Sequence, residues 1–192
     1  MTLWRERIKT SIAKSRDMKG GNYVQLATCD HDGEPRVRTV VFRGFAPNGA
    51  MKMITDKRSA KVSESTRCEL CWWFPRSSEQ YRISGTLHYV GDDETNAERR
   101  TQRQEMWGKL SDKAREQFYW EHVPRTPYNQ SPEKPPAGGR DSETGEILEP
   151  PPPIFLLVLL EPLVCDYLRL EDNFRQIDRL ADREWVSERV NP

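Results

Sequence analysis

The sequence predicts a mainly β domain with peripheral helices, in which antiparallel strands form a barrel. Seven or eight short stretches have the alternating or continuous apolar pattern of β-strands, and turns containing Gly or Pro separate most of them. The length of 192 residues suits one domain. Closure into a barrel is expected because it would remove the exposed edges of so many short strands.

Charge and cysteine content exclude several other classes of protein. Thirty basic residues balance thirty acidic ones, so no overall field attracts nucleic acid or an anionic membrane, and any anion site must be built locally. Four cysteines are too few for a disulfide scaffold, and the N-terminal segment lacks the apolar core of a signal peptide. The longest apolar run, residues 154–160, is too short to span a bilayer. We therefore expect a reduced, cytoplasmic protein.

The first elements are a helix and a hairpin. Three apolar residues recur at i, i+4 and i+8 among charged ones: Trp4, Ile8 and Ile12. This spacing predicts an amphipathic helix that ends near Gly20. Residues 23–29 then form a predicted strand, the turn 30–34 contains a glycine, and residues 36–45 form the second arm, which has the pattern of a buried strand.

The middle of the chain continues the strand pattern. Residues 51–55 predict a third strand, followed by a short helix that Asp56 or Ser59 would cap and that would reach about Ser65. Two further predicted strands, 69–74 and 80–90, are separated by a loop.

The second half begins with charged helical segments in a predicted insertion over about 92–122, interrupted near Ser111. Residues 123–153 contain nine of the fourteen prolines and predict an extended surface loop, either a plain linker or a binding arm. The remaining segments predict strands at 154–160, 163–170, 174–180 and 184–190. All of this is expected to belong to one domain, residues 1–192.

Arginines on the second strand are candidates for binding an anion. Alternation predicts one face with Arg36, Arg38, Val40 and Phe42, and another with Val37, Thr39, Val41 and Arg43. Arg38 and Arg43 bracket an apolar middle, which suits a flat apolar ligand with an anionic tail. Solvated arginines near the strand ends are the alternative interpretation.

The turn after the third strand carries a second cationic cluster. Thr55, Arg58, Ser59 and Lys61 lie where helix N–H groups, a hydroxyl and two cations could together bind a phosphate. The alternative is a capping serine beside a surface lysine.

Two other chemistries have weaker support. Cys68 and Cys71 have half the spacing of a zinc site, but residues i and i+3 of a strand face opposite sides, so small buried residues are the better interpretation and no metal is expected. The aromatic residues Trp72, Trp73 and Tyr81 could stack on bases, yet the balanced charge argues for core and interface packing, without nucleic acid.

The sequence resembles the pyridoxamine 5'-phosphate oxidase-like FMN-binding proteins, and more closely their branch of pyridoxamine oxidase-related flavoproteins. Five motifs in order carry this resemblance: RTVVFRGF (38–45), MKMITDKRSAK (51–61), WWFPRSSEQYRISG (72–85), MWGKLSD (106–112) and WVSERVNP (185–192). The resemblance implies an antiparallel, Greek-key FMN-binding split β-barrel. It also implies a homodimer with FMN at the subunit interface.

The resemblance also implies which residues contact FMN. They are Arg38, Thr39, Val40, Val41, Arg43, Ile54, Thr55, Arg58, Ser59, Lys61, Gln80 and Arg175, with Arg179 as the alternative to the last. Two positions depart from the oxidases: Arg43 stands where they usually have lysine, and Ala60 stands where they have arginine. Arg58 is the candidate to supply the charge missing at Ala60.

The resemblance says less about the substrate than about the cofactor. Glu171 and Asn173 occupy positions where the oxidases have an arginine and a histidine that help hold the vitamin phosphate and ring. We therefore expect an FMN-dependent oxidoreductase that acts on an unidentified small molecule, with no assigned catalytic residue. The alternative is a non-catalytic flavin-binding or sensor protein whose Pro-rich segment binds a partner.

Overall fold

The computed structural model describes residues 3–120, 127–128, 139–141 and 143–192. Residues 123–126, 129–138 and 142 of the predicted Pro-rich loop, 123–153, lie outside the described residues, and the role of the loop stays a prediction. None of the described helices is long and apolar enough to cross a membrane.

The described chain contains eight strands and three α-helices. The strands are β1 (Tyr23–Cys29), β2 (Pro35–Val41), β3 (Met51–Asp56), β4 (Arg67–Phe74), β5 (Glu79–Val90), β6 (Phe155–Arg169), β7 (Phe174–Ala181) and β8 (Glu184–Val190). The helices are α1 (Leu3–Lys14), α2 (Ala97–Gly108) and α3 (Asp112–Glu116), with a 3₁₀ turn at Ala60–Val62. The prediction of a mainly β fold with peripheral helices is confirmed.

The strands form one sheet in the order β2-β1-β4-β5-β6-β7-β8, and β3 pairs with β6. The pairs with a described register are antiparallel, including β1 with β2, β4 with β5, and β6 with β7. The order is open, with β2 and β8 at its ends, so the expected closure of the sheet does not hold among the described residues. As an end strand, β2 is more exposed than its apolar pattern predicts: Val37 is 66% exposed.

Two segments differ from the prediction for local reasons. The strands expected at 154–160 and 163–170 are one strand, β6, which runs through Pro162. The helix expected to reach Ser65 is a 3₁₀ turn of three residues. The Asp56 carboxylate there accepts hydrogen bonds from the backbone and side chain of Arg58, a local arrangement that competes with helix formation.

The chain divides into two compact units. Unit 1 comprises Met1–Met53, Glu64–His88 and Leu160–Pro192, and unit 2 comprises Ile54–Ser63 and Tyr89–Leu159. The expectation of a single domain stays a prediction.

Each unit has its own aromatic core. In unit 1, ring centroids are 4.9 Å apart for Trp72 and Phe74, and 5.6 Å apart for Phe74 and Tyr81. Trp72 and Tyr81 are buried while Trp73 is 42% exposed, so two of the three proposed stacking residues belong to the core. In unit 2, the side chains of Trp107, Phe118 and Phe155 pack edge to face at 5.0 to 5.6 Å.

A buried carboxylate links α1, β5 and β6 within unit 1. Glu79 accepts hydrogen bonds from the hydroxyls of Ser11 at 2.7 Å, Ser77 at 2.5 Å and Tyr167 at 2.6 Å. Burial by itself would raise the pKa of the Glu79 carboxyl, but these hydrogen bonds outweigh it, and the pKa lies below its usual value.

Replacing Glu79 by glutamine should lower the free energy of unfolding by about 1–3 kcal/mol at pH 7, because the variant loses charge-assisted hydrogen bonds in a buried site. Since the folded-state pKa is depressed, the stabilisation is present above the unfolded pKa of about 4.3 and is lost as the pH falls through the folded pKa. Urea denaturation at pH 7 and pH 3 measures this. The exposed Glu188→Gln is the control, and an equal difference at both pH values would contradict the prediction.

Candidate functional site

The predicted site residues fall in both compact units. Unit 1 contains Arg38, Thr39, Val40, Val41, Arg43, Gln80 and Arg175, whereas unit 2 contains Ile54, Thr55, Arg58, Ser59 and Lys61. Within each unit, the structure brings some of these residues together and pairs others with residues that were not predicted.

The turn after β3 gathers three predicted residues of unit 2. The Lys61 ammonium donates to Thr55 Oγ1 at 2.8 Å and to Ser59 Oγ at 2.6 Å. Ser59 occupies the cap position of the 3₁₀ turn without making a side-chain capping bond, so the interpretation of Ser59 as a simple cap is wrong. An ammonium and two hydroxyls thus converge on one point, which is suitable chemistry for holding a phosphate. A three-residue turn contributes no helix dipole to it.

Arg58 lies in the same turn, but its side chain contacts other residues. Its guanidinium makes a forked pair with Asp56, with Nη2 2.7 Å from Oδ2, and Nη1 donates to the Trp120 carbonyl at 2.9 Å. The hydrogen bond to Asp56 raises the pKa of Arg58 above its usual value. In this arrangement Asp56 neutralises Arg58, and a phosphate contact from Arg58 stays a prediction.

Arg38 is held by a carboxylate that the sequence reasoning missed. Its guanidinium pairs with Glu64 and donates to Thr28 Oγ1 at 2.5 Å and to the Leu26 carbonyl at 3.2 Å. The Arg38 side chain is 20% exposed and the Glu64 side chain 7% exposed. Glu64 lies in a polar turn, and no local sequence pattern marks it as a partner of Arg38. The contact depends on tertiary structure.

The backbone of β2 offers hydrogen-bonding groups at the edge of the sheet. Phe42 N donates to Asn22 O, on the side where β1 lies. Because backbone groups alternate along a strand, the N–H groups of Thr39 and Val41 point away from β1. The predicted contact of this backbone with FMN is therefore compatible with the position of β2 at an end of the sheet.

Arg43 is a half-buried cation whose side chain lacks a hydrogen bond to the described residues. Its Nε is buried without a partner, while its backbone N donates to Lys52 O at 2.8 Å. Burial lowers the pKa of the Arg43 guanidinium. A desolvated, unpaired N–H group is costly, so this position fits an acceptor or an anionic group of a bound molecule.

Gln80 and Arg175 lie on half-buried positions of β5 and β7. The Gln80 side chain makes no hydrogen bond to the part of the chain that the structure describes, whereas Arg175 forms a two-pronged pair with Asp166 at 3.0 and 2.7 Å. The alternative, Arg179, is exposed and pairs with Glu188 at 3.1 Å. An acidic residue within the largely apolar β6 was the signal that could have predicted a cationic partner for Asp166.

The two substrate positions that depart from the oxidases lie in the turn between β6 and β7. Glu171 and Asn173 are both exposed, and Asn173 has a φ of 53°. Asparagine tolerates this left-handed conformation better than most residues. The turn geometry accounts for Asn173, and the structure does not explain Glu171.

The sequence of the chain is similar to those of known FMN-binding proteins. The family model for the pyridoxamine 5'-phosphate oxidase FMN-binding domain matches residues 1–91. Pyridoxine/pyridoxamine 5'-phosphate oxidase 2 of Arabidopsis thaliana is 33% identical over 198 residues, covering 98% of this chain and 96% of that protein.

Solved structures extend the similarity to the fold. A pyridoxamine 5'-phosphate oxidase-related, FMN binding protein from Nostoc punctiforme has a TM-score of 0.86 and 34% identity, with 100% of this chain and 98% of that chain covered. PhzG from Burkholderia lata has a TM-score of 0.70 at 17% identity, covering 100% and 91%, and shows the fold alone. The split-barrel prediction is confirmed by these neighbours.

Proposed function

Because the chain belongs to the pyridoxamine 5'-phosphate oxidase family of FMN-binding flavoproteins, we propose that it is an oxidoreductase that carries out a two-electron oxidation or reduction of a small organic molecule. The observation that carries this proposal is the half-buried Arg43 guanidinium, whose buried Nε is unpaired among the described residues. When bound, FMN supplies the electron chemistry. The residues of the chain bind the cofactor, orient it and set the charge around it.

The phosphate of FMN is assigned to the turn of unit 2. Lys61 supplies the positive charge, and the hydroxyls of Thr55 and Ser59 supply donors on either side of it. Arg58 stabilises the turn through its ion pair with Asp56, and its contact with the phosphate rests on the family resemblance. Ile54, which precedes the turn on β3, offers apolar contact.

The flavin ring is assigned to residues of unit 1. The outward N–H groups of Thr39 and Val41 suit the ring carbonyls, Val40 lies between them, and Gln80 adds an amide without a partner in the described chain. Arg43 provides positive charge where the ring gains electrons. Arg175 and Arg38 are further cofactor contacts by the family resemblance.

A homodimer with FMN at the subunit interface is part of the proposal. Tyr23, Val37 and Trp73 share one face of the sheet by strand register, and they are 50%, 66% and 42% exposed. Large apolar side chains on an open face are typical of a surface that a second subunit covers. A cytoplasmic location is proposed from the composition.

Reduction of the bound flavin tests the proposed activity. Holoprotein is mixed anaerobically with NADH, NADPH or a panel of small amines and alcohols, and absorbance near 450 nm is followed in a stopped-flow instrument. The proposal expects one class of donor to bleach the flavin rapidly and air or a second substrate to restore it. Bleaching by none of these compounds would favour the alternative of a non-catalytic flavin-binding protein.

Replacing Arg43 by glutamine should lower the two-electron reduction potential of bound FMN by about 30 mV, equivalent to about 1.4 kcal/mol. A nearby cation stabilises the negative charge that the ring acquires on reduction, so its loss disfavours reduction. Spectroelectrochemical titration measures the potential. Arg43→Lys should restore most of the lost potential. Arg36→Gln is the control, because Arg36 is an exposed arginine of β2 that pairs with Asp30. Equal potentials in wild type and Arg43→Gln would contradict the role.

A further inference from the structure

Two arginines, on the strands that flank β6, share one carboxylate of β6 in unit 1. Arg82 Nη2 donates to Asp166 Oδ2 at 2.5 Å, and Arg175 Nη2 donates to the same oxygen at 2.7 Å. Arg175 Nε also donates to Oδ1 at 3.0 Å. Both guanidiniums therefore contact a single oxygen atom, and the two cations lie side by side.

The carboxylate is well placed to orient these cations. The Asp166 side chain is 12% exposed, whereas those of Arg82 and Arg175 are 42% and 30% exposed. Burial would raise the pKa of Asp166, but hydrogen bonds from Arg175 and Arg82 outweigh it, so the pKa lies below its usual value and the group stays ionised. Asp166 is thus a largely buried carboxylate that holds two partly exposed guanidiniums in place.

The Arg82 side chain is partly exposed and retains donors without a hydrogen bond among the described residues. Arg82 gives only one N–H to Asp166, and its other donors have no hydrogen bond within the described ranges. A guanidinium carries five N–H groups in a planar fork that matches a carboxylate. The two positive charges exceed the single charge of Asp166, so this cluster has the capacity to bind one more anion.

One acidic side chain already approaches the cluster. Glu69 Oε1 lies 4.0 Å from Arg82 Nε, at the limit of an ion pair, and the Glu69 side chain is 49% exposed. An exposed contact at this distance contributes little energy. It marks where an anion can approach Arg82 and is weak enough to be displaced.

Arg82 also lies near a proposed flavin contact. Gln80 and Arg82 are two residues apart on β5, and both are half-buried while their neighbours Glu79, Tyr81 and Ile83 are buried. Alternation along the strand therefore places Gln80 and Arg82 on the same face, about 7 Å apart along the chain. A molecule that contacts a ring held by Gln80 would have Arg82 within reach.

We propose that Arg82 is a specificity residue that binds the carboxylate of an organic substrate, with Asp166 as the positioning residue that holds it beside Arg175. This inference rests on the proposed function, because it assumes that Gln80 faces the flavin. It gives the unidentified substrate a chemical class, a small organic acid.

Benzoate is a suitable probe, because a bound aromatic acid perturbs the absorbance of a neighbouring flavin. Holoprotein is titrated with benzoate, the difference spectrum gives the dissociation constant, and FMN affinity is measured separately by fluorescence. We expect Arg82→Gln to weaken benzoate binding about tenfold with FMN affinity unchanged, since one charge-assisted fork is lost. Glu69→Gln should strengthen it about twofold, because a competing carboxylate is removed.

Two controls isolate the charge recognition. Arg76→Gln removes an exposed arginine paired with Asp17 and should leave benzoate binding unchanged. Benzamide, the neutral isostere, should show no dependence on Arg82. The proposal is overturned if wild-type holoprotein does not bind benzoate, if Arg82→Gln binds it with wild-type affinity, or if Arg82→Gln weakens FMN as much as benzoate. Because the titration is an equilibrium measurement, a flavin that no donor reduces would contradict the proposed function without altering this readout.

Discussion

Lys61→Gln should bind FMN about 100-fold more weakly than the wild-type protein. The structure brings the Lys61 ammonium to 2.8 Å from Thr55 Oγ1 and 2.6 Å from Ser59 Oγ. A phosphate at this turn would exchange those hydroxyl contacts for a charge-assisted bond to the ammonium, so the neutral variant loses the strongest of its contacts. Quenching of FMN fluorescence during titration of the apoprotein measures the affinity.

Riboflavin distinguishes a phosphate contact from a general defect. It lacks the phosphate, so wild type and Lys61→Gln should bind it with equal affinity. Lys57→Gln is the matched control, because Lys57 is a 51% exposed lysine of the same turn region that pairs with Asp92. Equal FMN affinity in wild type and Lys61→Gln, or an equal loss for FMN and riboflavin, would show that Lys61 does not bind the phosphate.

Local pattern predicted the regular elements well. β1 was expected at residues 23–29 and runs over Tyr23–Cys29, because its alternation is complete and turn residues flank both ends. Pro162 did not end β6, since a proline is tolerated where its missing N–H is not needed for strand pairing. The exposure of β2 could not be predicted, because strand order decides which strand lies at an end of the sheet.

The sequence named the cations of the candidate site but not the carboxylates that pair with them. Arg43 and Lys61 were named from strand and turn patterns, and Arg175 from the family resemblance. Glu64 contacts Arg38 across 26 residues of chain, and Asp166 contacts Arg175 across nine residues, through the pairing of β6 with β7. The sequence could therefore list the charges of the site without predicting which of them are already neutralised.

The structure changes what is expected of Arg38 in particular. As a motif residue, Arg38 was expected to bind FMN, yet its guanidinium pairs with Glu64 and donates to Thr28 and Leu26. A 7% exposed carboxylate cannot lose its cation without a large penalty. Arg38 therefore has a structural role in unit 1, whatever it contributes to the cofactor.

Arg38→Ala should lower the free energy of unfolding by about 3–5 kcal/mol, because it leaves the Glu64 carboxylate buried without this partner. Arg38→Met combined with Glu64→Gln should recover most of that loss, since a matched neutral pair avoids the stranded charge. Urea denaturation of the single and double variants measures the coupling. Additive losses in the double variant would contradict the pairing.

Glu64→Gln separates the two roles of Arg38. The substitution keeps the size of the side chain and frees Arg38 from a competing negative charge. If Arg38 also binds FMN, this variant should bind FMN a few times more tightly than wild type, while Arg38→Met with Glu64→Gln should bind it at least tenfold more weakly. If both variants bind FMN as the wild type does, Arg38 serves the fold alone, and the phosphate and ring contacts must come from Lys61, Arg43 and the other assigned residues.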